Sequence, residues 1–180
     1  MNNELKKHIT SYQNYPIDGV TYLDINPIYK DPMLTSKLVN DCHDILCNID
    51  GTRKHMWYTQ YDHIAIVESR GFIIGAILAA RLNKGLVLLR SKPGRLPGET
   101  ALVKHTLEYG ESQMEVQKGE GRVLIFDDVI ATGGTSQAAV DVLTEAGYTP
   151  VSALFLLQLN YLAPKVSVPY ESVIHYDTQP

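Results

Sequence analysis

The segment Val123 to Ser136, VLIFDDVIATGGTS, holds residues whose types and order suit a phosphorylated sugar. A short apolar run leads into Asp127-Asp128, then into the Thr132-Gly133-Gly134-Thr135 turn, then into a helical pattern. In parallel α/β sheets ligands bind just outside the carboxyl ends of strands, which is where such a segment would sit. Glycines let backbone approach a ligand, and N–H groups of a turn and helix start can surround an anion. Ionised carboxylates only accept hydrogen bonds, so the two aspartates suit hydroxyl donors rather than the phosphate itself. A phosphate joined to a diol is a ribose 5-phosphate. The competing reading is an ordinary strand–turn–helix with a threonine cap and two solvated acids. Neither GxxxxGK[ST] nor a GxGxxG after a strand is present, which argues against P-loop and dinucleotide sites.

The elements that would position this segment alternate along the chain. Leu34, Leu38, Val39, Cys42, Ile45, Leu46 and Ile49 recur at helical spacing, predicting a helix over about 33–49. Apolar runs predict strands at 63–67, 86–89, 122–126 and 151–159, with helices over 71–83 and about 136–146 between them. The implied fold class is α/β, a mostly parallel sheet flanked by helices. Three regions break the rhythm. Residues 1–32 are rich in Tyr, Asn and Pro and read as an amino-terminal cap or hood. Residues 91–100 form a Pro/Gly-rich loop, and 101–118 read as a hairpin turning at Tyr109-Gly110-Glu111-Ser112. The expectation is one domain over 1–180, with a flexible lid loop and hairpin over about 91–118.

Composition bounds the partners. The chain has 180 residues, with 16 Lys+Arg against 20 Asp+Glu for a net charge of −4. That balance argues against a general nucleic-acid binder. With 44% apolar and 20% charged residues it is a globular chain, long enough to bury roughly 70% of its unfolded surface. Cys42 and Cys47 fit neither a CxxC redox pair nor a zinc knuckle and read as bland thiols. The longest apolar run, Gly71 to Ala80, is closed by Arg81, well short of the ~18 residues a membrane span needs. MNNELKKHIT lacks a signal-peptide core, so the expected location is cytoplasmic, with no membrane partner. None of the six histidines (8, 43, 55, 63, 105, 175) forms a metal spacing, and no protein-held metal is expected. Within the acidic total, residues 90–104 carry Arg90, Lys92, Arg95 and Lys104 against Glu99 alone, a local basic patch suited to a polyanion.

VLIFDDVIATGGTS resembles the phosphoribosyl-pyrophosphate (PRPP) motif of type I phosphoribosyltransferases. Other segments are similar to the adenine branch of that family: GVTYLDI from Gly19, KDP from Lys30, ESRGF from Glu68, KPGRLP from Lys92, TLEYG from Thr106 and VPY from Val168. They follow the family's order and cover nearly the whole chain. Two positions depart from the family pattern. Leu23 stands where an arginine is usual, and so does Ser91, with Arg90 one place earlier. The run HMWYTQY, His55 to Tyr61, reads as an aromatic insertion, either a dimer contact or a packed loop.

The resemblance implies a reaction: transfer of the phosphoribosyl group from PRPP to adenine, giving AMP and pyrophosphate. Hypoxanthine or guanine as acceptor, or a PRPP-sensing regulator on the same fold, are the alternatives. Magnesium would arrive on the pyrophosphate of PRPP, and the chain would form a homodimer. Asp127 and Asp128 would hold the ribose hydroxyls, and Ala131, Thr132, Gly133, Gly134 and Thr135 the 5-phosphate. Ser69 and Arg70 would receive pyrophosphate, and Lys92 and Arg95 would neutralise it from a closing lid. Val20 and Leu23 would read adenine through their backbone groups while Tyr22 stacks on it. Glu108 would contact the purine beside the attacking nitrogen and help as an acid–base group. Glu108, Arg70 and Lys92 are thus the catalytic candidates.

Overall fold

The computed structural model describes residues 3–47, 61–107 and 110–180. The amino-terminal segment forms α1 (Asn3–Lys6), β1 (Thr10–Gln13), β2 (Thr21–Asp24) and α2 (Asn26–Lys30). β1 and β2 pair antiparallel as a separate ribbon, Tyr12 opposite Tyr22, so the cap stands apart from the main sheet. Asp31 starts α3 (Pro32–Cys47): its Oδ1 accepts the N–H groups of Met33 and Leu34 at 2.8 and 3.1 Å, and Pro32 supplies a preset first helical φ. Cys42 on α3 is fully buried, which pushes its thiol up and keeps it unreactive.

β3 (His63–Val67), α4 (Gly71–Arg81), β4 (Gly85–Leu89), β5 (Thr100–Leu107) and β6 (Gly110–Gln117) follow in order. Then come β7 (Arg122–Ile130), α5 (Gly134–Glu145), β8 (Thr149–Leu159) and β9 (Tyr170–Tyr176). The main sheet has the order β4-β3-β7-β8-β9, and every neighbouring pair is parallel. Alternation along each strand feeds two cores. Ile64, Ile66, Leu124 and Phe126 pack with α3 and α4 on one face. Ala65, Val67, Val123 and Ile125 pack with α5 and the β5–β6 hairpin on the other. No helix among the described residues is long and apolar enough to cross a membrane.

The structure corrects three boundaries and adds a strand. β7 does not stop at Phe126: Asp127 pairs with Phe155, Val129 with Leu157 and Ile130 with Gln158, so the two aspartates are strand residues held by β8. Cross-strand pairing here overrides the poor strand propensity of Asp. α5 begins at Gly134 rather than Ser136, because Gly133 takes the left-handed conformation (φ 98°) and turns the chain directly into the helix. The β5–β6 hairpin pairs Leu107 with Gly110, which puts Gly110, Glu111 and Ser112 in β6 rather than in the turn. β9 is a fifth parallel strand that the apolar pattern does not announce, since Glu171, Ser172 and His175 interrupt it.

Candidate active site at the switch point of the sheet

β3 and β7 are neighbours, yet their connections run in opposite directions. β3 passes through α4 to β4 at one edge, and β7 passes through α5 to β8 towards the other. The crevice beyond their carboxyl ends is the topological switch point, where open α/β sheets bind ligands. Glu68, Ser69 and Arg70 leave β3 there, and Asp127 and Asp128 lie on the facing part of β7.

Both carboxylates are buried, with residue exposures of 8% for Asp127 and 4% for Asp128. Arg70 Nε stands 2.7 Å from Asp128 Oδ2, an ion pair without hydrogen-bond alignment, and Arg70 Nη1 has no partner among the described residues. Asp127 Oδ1 accepts the Asp128 N–H at 2.8 Å. Burial raises both carboxyls above the usual carboxylate range. Arg70 opposes this at Asp128, whereas the charge of Asp128 adds to it at Asp127. Gly71 permits this packing: a Cβ there would lie 3.1 Å from Asp127 Oδ1 and 3.2 Å from the Phe126 carbonyl. The Tyr29 hydroxyl is buried without a partner among the described residues, and burial, then Asp128, pushes its pKa up.

The turn after β7 leads straight into a helix start, where backbone N–H groups are left without helical partners. Gly133 takes the left-handed conformation there. Its missing side chain is required on the other side too, since a Cβ would collide with the Lys165 carbonyl. The Thr132 carbonyl accepts the Lys165 N–H at 3.0 Å, which ties the turn to the segment before β9.

Beside this turn lies a cavity of about 320 Å³. The hood contributes Val20, Tyr22 and Leu23, β3's exit contributes Arg70, and β7 and its turn contribute Val129 and Ala131. Leu159, Tyr161, Leu162 and Gln179 close it from the carboxyl-terminal side. The Arg70 guanidinium lies over the Tyr22 ring, 5.0 Å from its centroid, and Tyr15 meets Tyr22 edge to face at 5.3 Å. The cavity is lined mostly by apolar and aromatic side chains, with Thr21, Arg70 and Gln179 as its polar groups, a composition suited to a planar heterocycle.

The basic 90–99 segment is not free. Arg90 Nη2 and Arg95 Nη1 lie 3.2 and 3.3 Å from Glu68 Oε1, and the Ser91 N–H and hydroxyl donate to Glu68 Oε2 at 2.8 and 3.0 Å. Arg90 and Glu115 exchange backbone hydrogen bonds, the Glu115 carboxylate accepts the Arg95 N–H, and Gln117 donates to the Pro97 carbonyl. Burial alone would raise the Glu68 carboxyl. The hydrogen bonds from Ser91 and the Arg90 and Arg95 charges outweigh it and hold Glu68 below the usual carboxylate range. A lowered folded pKa means that this anchor is complete above about pH 4 and is lost as pH falls through the folded value. Glu68→Gln should therefore make tryptic cleavage at Arg90 and Arg95 severalfold faster at neutral pH, with little change in melting temperature. An unchanged cleavage rate would mean that the Glu115 bridge alone holds the segment.

A model of the phosphoribosyl transferase domain family matches residues 35–171. The chain belongs to the phosphoribosyltransferase family. Among curated relatives, the adenine phosphoribosyltransferase of Prochlorococcus marinus (strain NATL2A) is 39% identical over 164 residues, covering 89% of each chain. The Saccharomyces cerevisiae adenine phosphoribosyltransferase, solved with a bisphosphate imino-sugar and adenine, superposes with a TM-score of 0.82 at 32% identity. That match covers 94% of this chain and 96% of the yeast chain. The Trypanosoma brucei enzyme, solved with AMP, pyrophosphate and ribose-5-phosphate, has a TM-score of 0.74 at 26% identity, covering 96% and 78%. Within the phosphoribosyltransferases the chain stands with the adenine phosphoribosyltransferases, which are pentosyltransferases of purine salvage.

Measured against that phosphoribosyltransferase frame, the predicted residues separate into those the fold brings together and those it does not. Val20, Tyr22, Leu23, Arg70 and Ala131 line one cavity, and Asp127 and Asp128 sit beside it. Thr132, Gly133, Gly134 and Thr135 form the adjoining turn and helix start. Arg70, expected at the pyrophosphate, has its guanidinium against Asp128 and Tyr22. Ser69 is exposed at the exit from β3, and Lys92 is exposed on the lid segment. Arg95 and Arg90 converge on Glu68. Glu108 lies outside the described residues, as do residues 55–60 of the aromatic insertion, whose last member, Tyr61, is buried beneath Lys84. Sequence reasoning missed Glu68, Tyr29 and Gln179. Glu68 lies more than twenty positions before the basic lid motif and carries no local signal for it. Tyr29 and Gln179 carry no local signal.

Proposed function

We propose that this chain transfers the 5-phosphoribosyl group of PRPP to adenine. The bond between C1′ and the pyrophosphate oxygen breaks, the bond from an imidazole nitrogen of adenine to C1′ forms, and the adenine proton is lost. The observation that carries the reading is the shared cavity: the hood residues Val20, Tyr22 and Leu23 and the start of the anion turn at Ala131 face one space. A base and a ribose 5-phosphate bound there would meet at C1′. Asp127 and Asp128 would take the ribose hydroxyls, and the 131–135 turn the 5-phosphate. Arg70 and Ser69, with Lys92 and Arg95 from the lid, would neutralise the departing pyrophosphate while the lid excludes water. The transition state is oxocarbenium-like, as in other displacements at an anomeric carbon. To Glu108 we assign the proton of the purine.

Magnesium comes in on the substrate. Asp128 is already engaged by Arg70 and Asp127 holds its proton more tightly than usual, so neither is a ready-made metal ligand. That fits Mg²⁺ bound mainly by substrate phosphates and waters. We further propose a single domain in which residues 1–32 cap the base and residues 91–118 form the lid, acting as a homodimer in the cytoplasm.

The test is pyrophosphate release from Mg²⁺-PRPP with adenine, hypoxanthine, guanine and xanthine in turn, on the parent and on Glu108→Gln. Adenine should be ribosylated far faster than the 6-oxopurines, and Glu108→Gln should lose about 10²-fold in kcat. Faster turnover of hypoxanthine or guanine would overturn the adenine reading, and full activity in Glu108→Gln would remove its acid–base role.

A further inference from the structure

The carboxyl-terminal tail reaches back over the hood by a chain of side-chain hydrogen bonds whose direction is fixed. The Pro180 carbonyl can only accept, so Gln13 must turn its Nε2 towards it, at 2.6 Å. Gln13 Oε1 then faces Thr21, whose hydroxyl donates to it at 2.8 Å. Thr21 has one hydroxyl proton, already spent, so it can only accept from its other neighbour. Gln179 accordingly presents Nε2 to Thr21 Oγ1, at 2.8 Å. Thr21 and Gln179 both line the cavity that holds Val20, Tyr22 and Leu23. The relay thus removes the usual freedom of an amide to exchange its oxygen and nitrogen. What Gln179 keeps for the cavity is its Oε1 acceptor and one remaining N–H.

We propose that Gln179 is a specificity-determining residue for the base, oriented by Thr21 and Gln13 to accept from an exocyclic amino group. An amide edge of one acceptor and one donor matches the amino group and adjacent ring nitrogen of adenine, the pairing that Gln makes with adenine in nucleic-acid recognition. On that N6/N7 edge a 6-oxopurine offers acceptors at both places, O6 and N7, and the fixed Oε1 would then face a carbonyl lone pair. An amide free to turn would offer its N–H groups instead and accept either base. The tail therefore works by refusing hypoxanthine as much as by holding adenine.

This inference rests on the proposed adenine reaction, and its test separates the two. kcat/KM would be measured for adenine and hypoxanthine at saturating PRPP, with the KM for PRPP, in the parent, Gln179→Ala and Thr21→Val. Gln179→Ala should lower kcat/KM for adenine about tenfold, leave hypoxanthine level or improved, and leave the KM for PRPP unchanged. Thr21→Val keeps Gln179 but frees it to turn, so the adenine-to-hypoxanthine ratio should narrow with a smaller loss on adenine. Equal losses on both bases in Gln179→Ala, or a ratio unchanged in both variants, would overturn the inference. A parent enzyme that does not ribosylate adenine would instead reject the proposed reaction itself.

Discussion

Asp127→Asn should cost about 10- to 100-fold in turnover and yet raise the melting temperature of the unliganded protein. Asp127 is 8% exposed and adjoins a second carboxylate, Asp128, which takes the Arg70 ion pair. Burial first, then Asp128, raises its carboxyl well above the usual range, so the folded state binds its proton more tightly than the unfolded chain does. Over the pH window from the ordinary aspartate value up to the folded one, stability therefore falls as pH rises. Above that window the native protein carries the full cost of a buried charge. Asparagine keeps an oxygen to accept the Asp128 N–H and removes that charge. A gain of about 1 kcal/mol would lift the melting temperature by roughly 2–4 °C, and the acid-side slope of stability against pH should flatten. The cost falls on catalysis, because a neutral amide is a weaker acceptor for a ribose hydroxyl. Thermal melts from pH 4 to 8 alongside steady-state rates would check both halves. A lower melting temperature at neutral pH would mean that Asp127 is stabilised by something other than its own protonation.

Arg70→Ala should move both quantities downwards. Its guanidinium is the cation 2.7 Å from Asp128 and covers Tyr22, so removal leaves two adjacent buried carboxylates uncompensated and uncovers the ring. Breaking a fully buried pair costs about 3–5 kcal/mol, but the Arg70 side chain is 36% exposed and screening by water reduces this to about 1–3 kcal/mol. The loss should be largest at neutral pH and shrink on acidification, as Asp128 takes up a proton. Adding Asp128→Asn to Arg70→Ala should recover much of the stability, with a coupling of about 1 kcal/mol or more, and none of the activity. Additive stability effects would mean that the Arg70–Asp128 pair contributes little and that Arg70 acts mainly through Tyr22. Loss of pyrophosphate release of about 10²-fold or more is expected in either background.

Much of the frame was legible locally. The run HIAIV marked β3 to the residue and VSALFLLQL most of β8, because strands buried on both faces are written as continuous apolar runs; LVLL marked most of β4, although at the sheet edge its Leu86 and Leu88 stay exposed. The motif around Asp127 declared a strand, a turn and a helix start. The strand's true end was not legible, since Asp127 to Ile130 stay extended only because β8 pairs with them. β9 was illegible for a related reason. Its core contribution comes from adjacent Val173 and Ile174 and from Tyr176, and the polar residues among them break any run.

The charge of the lid shows where local reading stops. Residues 90–104 are basic by count, but Arg90 and Arg95 are both met by Glu68, more than twenty positions earlier in the chain. At the departure from the family pattern, Ser91 donates to Glu68 while Arg90, one position earlier, supplies a guanidinium to the same carboxylate. What the sequence alone determined is most of the order of strands and helices from 33 to 159, the glycine turn after Asp128 and the family, because periodicity and turn chemistry depend on near neighbours. The tertiary structure decided the partners: Arg70 with Asp128, Glu68 with the lid, Gln179 with Thr21 across 158 positions. Those pairings exist only once the crossovers from β3 and β7 diverge and leave their carboxyl ends, the hood and the tail around one crevice. Ion pairs and hydrogen bonds act over a few ångströms of space, and distance along the chain does not predict them.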